Sequence, residues 1–424
     1  MTRPRLAAAA DVLLIANNFP PTRGGSAAVY ANLARHAAGR IMVIAPRRSY
    51  IDGLPLIGWR EHDRRAPYHV LRLPLLRTVM PSTPQPGILA RGRLLAADLW
   101  IRARLVATVL GLTAGSGIRA VCVGELLASG WLLMLLRRLV RLGLLGRLRL
   151  LVYVHGEEIT TNDLYDRDGT RRRRPLRSVD EIVVVSRFTE AAVRGLLRTA
   201  PAGHLRLAEN GVDRARFTPR PRRPDLVALY RLEGRFVFVS ICRLLEKKGI
   251  DNAIRAFAEV IARVPGCRYL VVGTGPYEAT LRELAAELGL SGSVVFAGQV
   301  PEEDLVDHYC LGDVFVMPNR ALANGDTEGF GLVFLEANAC GLPVIAGRDG
   351  GSTDAVQDGV NGLVVDGHQP AAIGAAMIRL HADPALRRRL ADGARDVAAR
   401  AGWAEKTAAF LAACAPPARQ VRSQ

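Results

Sequence analysis

Short, continuously apolar runs recur along the whole chain, and helical patterns separate them. DVLLIAN (11–17), IMVIAP (41–46), IRAVCVG (118–124), LLVYVHG (150–156) and EIVVVS (181–186) fall in the first half. RFVFVSI (235–241), RYLVVG (268–273), SVVFAG (293–298), DVFVMP (313–318) and LPVIAG (342–347) fall in the second. None alternates apolar with polar. A strand covered on both faces reads this way, which is the condition inside a parallel sheet. Helical stretches such as 252–263 and 278–289 lie between the runs. That order specifies an α/β fold built of doubly wound parallel sheets. FTPRPRRPD at 217–225 is proline-rich, charged and aperiodic, and is read as a linker. The expectation is a Rossmann-like domain over 1–216 and a second over 226–400, facing each other across a central cleft. A last helix within 401–424 is expected to cross back to the first domain. Ligands of such sheets bind beyond the carboxyl ends of the strands, and every motif below falls just after a strand.

A chain of 424 residues that is 49% hydrophobic and 23% charged can fill two such cores. Its six cysteines show no C-x-x-C pair. That spacing argues against a zinc site or a disulfide framework and fits a reducing compartment. The opening MTRPRLAAAADVLLIANNFP has the outline of a signal peptide, but Asp11 interrupts its apolar part, and 11–17 is read as a first buried strand. No run reaches the eighteen or so apolar residues of a membrane span. The formal net charge is +17, and residues 1–215 carry all of it, with 33 arginines against 16 acidic residues. Residues 216–424 balance 24 basic against 24 acidic. An arginine-rich genome would spread the excess evenly. Its confinement points the first half at something acidic, either an anionic acceptor or an anionic membrane surface. No helix-turn-helix, zinc-finger or aromatic RNA-binding signature is present, so nucleic acid is not an expected partner. The expected location is cytoplasmic, with peripheral attachment to the inner face of the cell membrane as its open variant.

Four motifs carry candidate chemistry. In GRFVFVSICRLLEKKGID, Arg243 and Lys248 follow a strand and precede Gly249, and two of the three lysines in the chain, Lys247 and Lys248, sit here. Arginine and lysine on such a loop can clamp a diphosphate, or they can be a solvated charge cluster. GDTEGFGLVFLEANACGLPVIA (325–346) sets Glu328 and Glu336 eight residues apart, with Gly329 and Gly331 before a helix begun near Leu332. Glycines at a helix N-terminus present N–H groups to an anion. Glu336, amid Val333, Phe334, Leu335 and Ala337, needs hydroxyl or N–H partners unless it merely decorates a surface. In NNFPPTRGGSAAVYANLARH, Gly24 and Gly25 close a turn, Ser26 is placed to cap the next helix, and Val29 and Leu33 face inward. The pattern is not G-x-G-x-x-G, so it does not specify a dinucleotide. In VYVHGEE, His155 ends a strand, where either a structural or a functional histidine can stand.

In chain order, FPPTRGG, VHG, VVVSRFTEAAV, ENGVD, SICRLLEKKG, VVGTGP, GQVPEEDL, EGFGLVFLEANACGLPVIA and NGLVVDG form a set that resembles the retaining glycosyltransferases of family 4, which have the GT-B fold. The resemblance covers nearly the whole chain, and the spacing of Glu328 and Glu336 matches the family's E-x7-E element. It implies that a nucleotide-diphosphate sugar is held mainly by the second domain, as co-substrate. Arg243 and Lys248 would neutralise the diphosphate, and Glu336 would hold the ribose hydroxyls. Glu328 and the backbone of Gly329, Phe330 and Gly331 would meet the sugar and its phosphate. Val300 would touch the base through its backbone, Gly25 would lie near the phosphate or acceptor, and His155 would approach the sugar from the other wall. Asp354 in GGSTDAV stands where the family usually has glutamate. The implied reaction is hexosyl transfer with retention, by front-face attack. A glycosidase would have no use for the Arg–Lys clamp beside its carboxylates.

The donor is expected to be of GDP-mannose or UDP-glucose type, and the acceptor a glycolipid, polysaccharide or related glycoconjugate. A catalytically silent nucleotide-sugar-binding protein, or a same-fold epimerase or phosphorylase, are the alternatives. Residues 126–152 carry Arg137, Arg138 and Arg141 beside Trp131, Leu135, Leu136 and Leu139, and read equally as an interfacial helix on anionic lipid or as a core helix with a solvated arginine face. DRDGTRRRRP (166–175) reads as a basic loop. Its Asp166-Arg167-Asp168 is read as a solvated acidic pair, not a metal site, so no metal and no other cofactor is expected.

Overall fold

The computed structural model describes residues 10–79, 88–161, 166, 168–198 and 205–416. Two all-parallel sheets form it. The first takes β1 Val12–Ile15, β2 Ile41–Pro46, β3 His69–Leu73, β4 Ala120–Val123, β5 Arg149–Val154, β6 Glu181–Val184 and β7 Leu205–Leu207 in the order β3-β2-β1-β4-β5-β6-β7. The second takes β8 Val237–Ile241, β9 Arg268–Val272, β10 Val294–Gly298, β11 Val314–Met317, β12 Val344–Gly347 and β13 Gly362–Val365 in the order β10-β9-β8-β11-β12-β13. Both orders reverse once, between β1 and β4 and between β8 and β11. Such a reversal opens a crevice at the carboxyl ends of the strands.

The apolar runs named above are ten of these strands. β3, β7 and β13 are strands outside those ten runs. Each is a sheet edge. His69–Leu73 is exposed or half-buried until Leu73, and Leu205–Leu207 buries none of its residues. In β3 and β7 partial cover lets polar residues enter and the continuous run is lost, whereas β13, GLVV, is apolar throughout and only four residues long.

Helices cover both faces. On one face of the first sheet, Leu13, Ile15, Val121 and Val152 pack with Leu105 and Val109 of the Ile88–Gly115 helix and with Leu132 and Leu136 of the Leu126–Arg141 helix. On the other face, Leu14, Val43 and Leu151 meet Val29 and Leu33 of the Gly25–His36 helix. This second cluster continues without a break into the core of the second domain. The Trp403–Cys414 helix is part of the join: Phe410 is fully buried with its ring 5.9 Å from that of Tyr153. Arg149 Nε donates to the Ala413 carbonyl at 2.6 Å, and Lys406 pairs with Glu209 at 3.2 Å. Val212 N–H donates to the Ala401 carbonyl at 2.7 Å, where the chain runs between the two domains.

One open alternative is settled and one expectation needs correction. The 126–152 stretch is a core helix over Leu126–Arg141, with Leu126, Leu132, Leu133 and Leu136 buried, and Arg137 is committed to the Ser178 carbonyl and Asp180. Stretch 166–175 is not a loop throughout, because Thr170–Leu176 is helical. Asp166 is not solvated: it is buried, accepts from Arg171 N–H and Arg172 N–H, and pairs with Arg172 Nε at 2.8 Å. Its two oxygens together accept three hydrogen bonds. Asp168 is exposed and caps Thr170. All six cysteines are buried free thiols. Among the described residues no helix is long and apolar enough to cross a membrane.

Phe410→Ala should lower the unfolding free energy by about 3–5 kcal/mol, the cost of a large buried aromatic truncation. Denaturant melts monitored by circular dichroism would read it, and a loss below about 1 kcal/mol would show that the helix is not integral to the core.

Candidate active site

The carboxyl edges of the two sheets meet closely. Gly329 presses its backbone against His155, and a Cβ there would overlap the His155 carbonyl oxygen. Gly325 stands in the same relation to Thr160, and the Cα of Gly329 lies 3.2 Å from where a Cβ of Gly156 would be. Lys247, buried at the start of the second-domain loop, reaches across to Glu157 at 3.0 Å and pairs with Asp326 at 2.8 Å. Arg23 in the Thr22–Gly25 turn donates to the Val300 carbonyl at 2.9 Å. Arg187 N–H donates to Asp354 at 3.1 Å. Apart from the Lys247–Asp326 pair, each contact joins one domain to the other.

On the second-domain wall, β8 ends at Ile241 and a single 3-10 turn, Glu246–Lys248, leads into Gly249 at φ 71. Only glycine fits there, since a Cβ would overlap the Pro318 carbonyl. That turn holds Lys248 against Glu328 in an ion pair largely shielded from water. Burial alone would raise the Glu328 pKa, but Lys248 and then Lys247 hold it below the usual carboxylate value. Glu328 is therefore ionised at neutral pH. Arg243 is exposed at the mouth and has no carboxylate partner among the described residues. Gly331, at φ 86, is the N-cap of the Leu332–Ala339 helix, and Phe330 beside it is buried. Glu336 is half-buried on that helix, not a surface ornament, and Tyr309 Oη donates to it at 2.7 Å. Burial pushes its pKa up, and the Tyr309 hydroxyl opposes that.

On the first-domain wall, the Gly25–His36 helix starts directly at Gly25, so Ser26 is already in its first turn and makes no cap bond. Gly25 faces the second domain: a Cβ there would sit 3.9 Å from Leu332 Cδ1. His155 is anchored through its N–H to Glu158 at 3.0 Å. Its Nε2 lies 2.7 Å from Tyr30 Oη, and the Tyr30 hydroxyl donates to the Gly124 carbonyl. Since the Tyr30 proton is spent on Gly124, the Tyr30 oxygen must accept from His155 Nε2–H. The neutral ring then keeps its Nδ1 lone pair as an acceptor. Burial depresses the His155 pKa to about 4, so the ring is neutral at physiological pH. Behind it, burial pushes Glu125 and Glu158 up to about 7, with Glu125 held by the N–H groups of Asn17 and Asn18.

The structure thus brings Gly25, His155, Lys248, Glu328, Gly329, Phe330, Gly331 and Glu336 to one cleft, with Arg243 and Val300 on its second-domain side. Sequence reasoning passed over Tyr30, Arg23, Lys247, Glu157 and Tyr309. Tyr30 follows the inward-facing Val29, and Lys247 adjoins Lys248, so each lay one residue from a position already singled out. Nothing local marked Glu157 or Tyr309, whose partners are far away in the chain.

The family model described as "Glycosyl transferases group 1" matches residues 226–397. The chain is 35% identical, over 382 residues covering 88% of it and 90% of the relative, to the GDP-mannose-dependent alpha-(1-6)-phosphatidylinositol monomannoside mannosyltransferase of Mycolicibacterium smegmatis. It is 30% identical to the monoacylated phosphatidylinositol monomannoside counterpart from Corynebacterium glutamicum, covering 94% of this chain and 96% of that one. The crystal structure of Anabaena HepE in complex with UDP and glucose superposes with a TM-score of 0.71 over 95% of this chain and 99% of that one, at 19% identity, and so shares the fold. The chain belongs to the glycosyl transferases group 1, glycosyltransferase family 4, with the GT-B fold. It is a glycosyltransferase.

Two variants probe the walls. Lys248→Ala should reduce turnover by about 10²–10³-fold while the protein stays folded, the usual loss for one preorganised donor at a developing negative charge. Steady-state kinetics with a melt of the variant decides this, and near-normal turnover and donor affinity would remove Lys248 from the phosphate clamp. For the first wall, ¹⁵N NMR of the His155 ring should show the Nε2–H tautomer, unchanged from pH 8 down to about pH 5 because the depressed pKa delays protonation until about 4. Tyr30→Phe should release the tautomer preference. An Nδ1–H ring in the unaltered protein would contradict the hydrogen-bond chain.

Proposed function

We propose that this protein transfers mannose from GDP-mannose to an inositol-phospholipid glycoside, with retention of anomeric configuration and without a metal. The observation that carries this reading is the 35% identity, over 88% of the chain, to an enzyme named for that donor and that class of acceptor. The site supports it. Lys247, Lys248 and Arg243 face Glu157, Asp326 and Glu328, so the cleft is close to charge-neutral by itself. A diphosphate adds negative charge, and Lys248, Arg243 and the N–H groups at Gly331 are the groups read as taking it. These cations and dipoles are in place before the sugar–phosphate bond breaks, and stabilise the leaving diphosphate as its charge grows. Glu336 is placed on the same helix to accept from ribose hydroxyls. His155, kept neutral and with Nδ1 open, accepts from a sugar hydroxyl and does not compete with the phosphate for a proton.

Retention by front-face attack fits the carboxylates present. Glu328 is tied to Lys248 and is read as a ligand of the donor sugar, not as a nucleophile. The acceptor hydroxyl then approaches from the first-domain side, past Gly25. The Asp166 carboxylate is already engaged by Arg172 and two N–H groups, so its charge is offset without a cation, which supports the metal-free reading.

GDP-mannose should raise the unfolding temperature more than UDP- or ADP-sugars do, corresponding to about 2.7 kcal/mol at a hundredfold excess over Kd. Transfer to a phosphatidylinositol mannoside, followed by mass spectrometry and anomeric NMR, should persist in excess EDTA. Stabilisation by UDP-sugars alone would overturn the donor, an inverted product the stereochemistry, and rescue by Mg²⁺ or Mn²⁺ after chelation the metal-free reading.

A further inference from the structure

The order of the second sheet reverses between β8 and β11. At such a point the connections from the two strands leave for opposite faces, and a crevice opens between them. The two loops that border it carry Lys247 and Lys248 on one side and Glu328 on the other. Arg320, three residues past the end of β11, joins these loops. It is buried, and its guanidinium grips Asp251 as a fork, Nη1 to Oδ1 at 2.6 Å and Nη2 to Oδ2 at 2.9 Å. Asp251 stands in the first turn of the Ile250–Arg263 helix, just after Gly249. The Arg320 N–H donates to the Lys247 carbonyl at 2.9 Å, and Nη2 lies 3.6 Å from Glu246. One residue thus holds the Glu246–Lys248 turn along its length and just beyond its end. Burial would lower the Arg320 pKa, but Asp251 outweighs that and raises it, so the guanidinium stays charged.

The same loop returns on the far side of the turn. Lys247 Nζ donates to Asp326 and to the Thr327 carbonyl, and Lys248 Nζ pairs with Glu328. The 320–328 segment therefore clasps the turn from two directions, the main chain through Arg320 and the ammonium groups through Asp326, Thr327 and Glu328. The two grips differ in stiffness. A lysine is a point charge on a flexible four-carbon stem, and its ion pair does not fix where its backbone stands. A planar guanidinium bound at two points to one carboxylate does fix it. A buried pair of this kind adds little net stability, because desolvation offsets much of its attraction.

We propose that Arg320 is a positioning residue for glycosyl transfer: through Asp251 and the Lys247 carbonyl it sets where the Lys248 ammonium meets the leaving diphosphate, without touching the donor itself. This deepens the functional reading and rests on its assignment of Lys248 to the diphosphate. Displacing such a group by about 1 Å can cost about a hundredfold in rate.

The test separates position from stability. Arg320→Met alone leaves Asp251 buried and unpaired and should destabilise the fold. Arg320→Met/Asp251→Leu removes both charges, and its melting temperature should stay close to that of the unaltered chain. With GDP-mannose and a phosphatidylinositol mannoside, its kcat should still fall about ten- to a hundredfold, with donor KM changed less than about threefold. Arg320→Lys keeps the charge but not the fork and should lose less. In a Lys248→Ala background the paired substitution should cost less than about threefold more, because groups that act as a unit are not additive. The chain has three lysines, so ¹⁵N-lysine labelling gives three ammonium signals to follow without substrate. Those of Lys247 and Lys248 should shift or broaden in the paired variant and in Arg320→Lys, and that of Lys406 should not. Unmoved Lys247 and Lys248 signals, or a loss of turnover that adds in full to that of Lys248→Ala, would overturn the proposal. So would normal turnover of the paired variant where Lys248→Ala is impaired. Normal turnover of Lys248→Ala itself would instead overturn its assignment to the diphosphate. Absence of transfer from GDP-mannose by the unaltered chain would overturn the donor reading, and the ammonium signals would still decide whether Arg320 holds the turn.

Discussion

Lys247 is nearly buried between Glu157 of the first domain and Asp326 of the second, and it donates as well to the Thr327 carbonyl. An ammonium removed from water costs several kcal/mol unless it is paired and hydrogen-bonded on all sides. Here two carboxylates and a carbonyl supply all three partners, and the two carboxylates come from different domains. Burial would lower the Lys247 pKa, but its carboxylate neighbours outweigh that and raise it. The charge is thus fixed, and the pairing is satisfied only while the two edges are together. The glycine contacts at 325 and 329 are its steric counterpart, because they let the backbones approach to the distance the ion pairs need.

The rest of the site depends on that approach. With Lys247 spent on bridging the domains, Lys248 is turned to Glu328 and Arg243 is left at the mouth. Adjacent lysines thereby divide two tasks, one bridging the domains and one pairing with Glu328. The same division appears across the cleft. Glu157 faces the second domain, while its neighbour Glu158 turns inward and holds the His155 N–H. His155 itself is fixed at two points, its N–H by Glu158 and its ring by Tyr30, and Gly124 must be glycine because a Cβ would collide with the Tyr30 ring. A ring so held presents one nitrogen in one orientation.

The cores explain why two domains can make so exact a join. One apolar cluster runs from the first sheet through Tyr153 and Phe410 into the second domain. The positions of the facing loops are inherited from sheets that share a packed boundary. The first turns of the 88–115 helix lie outside this continuity: from Leu89 to Trp100 no side chain is buried.

The sequence by itself determined the fold class, because strands covered on both faces need unbroken apolar runs and the order of runs and helices permits little besides two doubly wound sheets. It singled out Arg243, Lys248, Glu328, Gly331 and Glu336 as candidates, since each stands in a local loop or helix-start pattern that the sequence shows. It did not reveal β3 and β7, where partial cover at a sheet edge admits polar residues and breaks the run. Only the tertiary structure decided what Lys247, Glu157, Tyr30 and Asp166 do. Their partners lie across the cleft or on another element, and a residue's charge or hydroxyl does not say which distant group will satisfy it. The same holds for the apolar residues of the 88–115 helix, of which Leu105 and Val109 are buried and Leu95 and Leu99 are exposed. Hydrophobicity read along a chain cannot tell a face that meets the core from one that meets nothing, and that distinction exists only once the domain has packed.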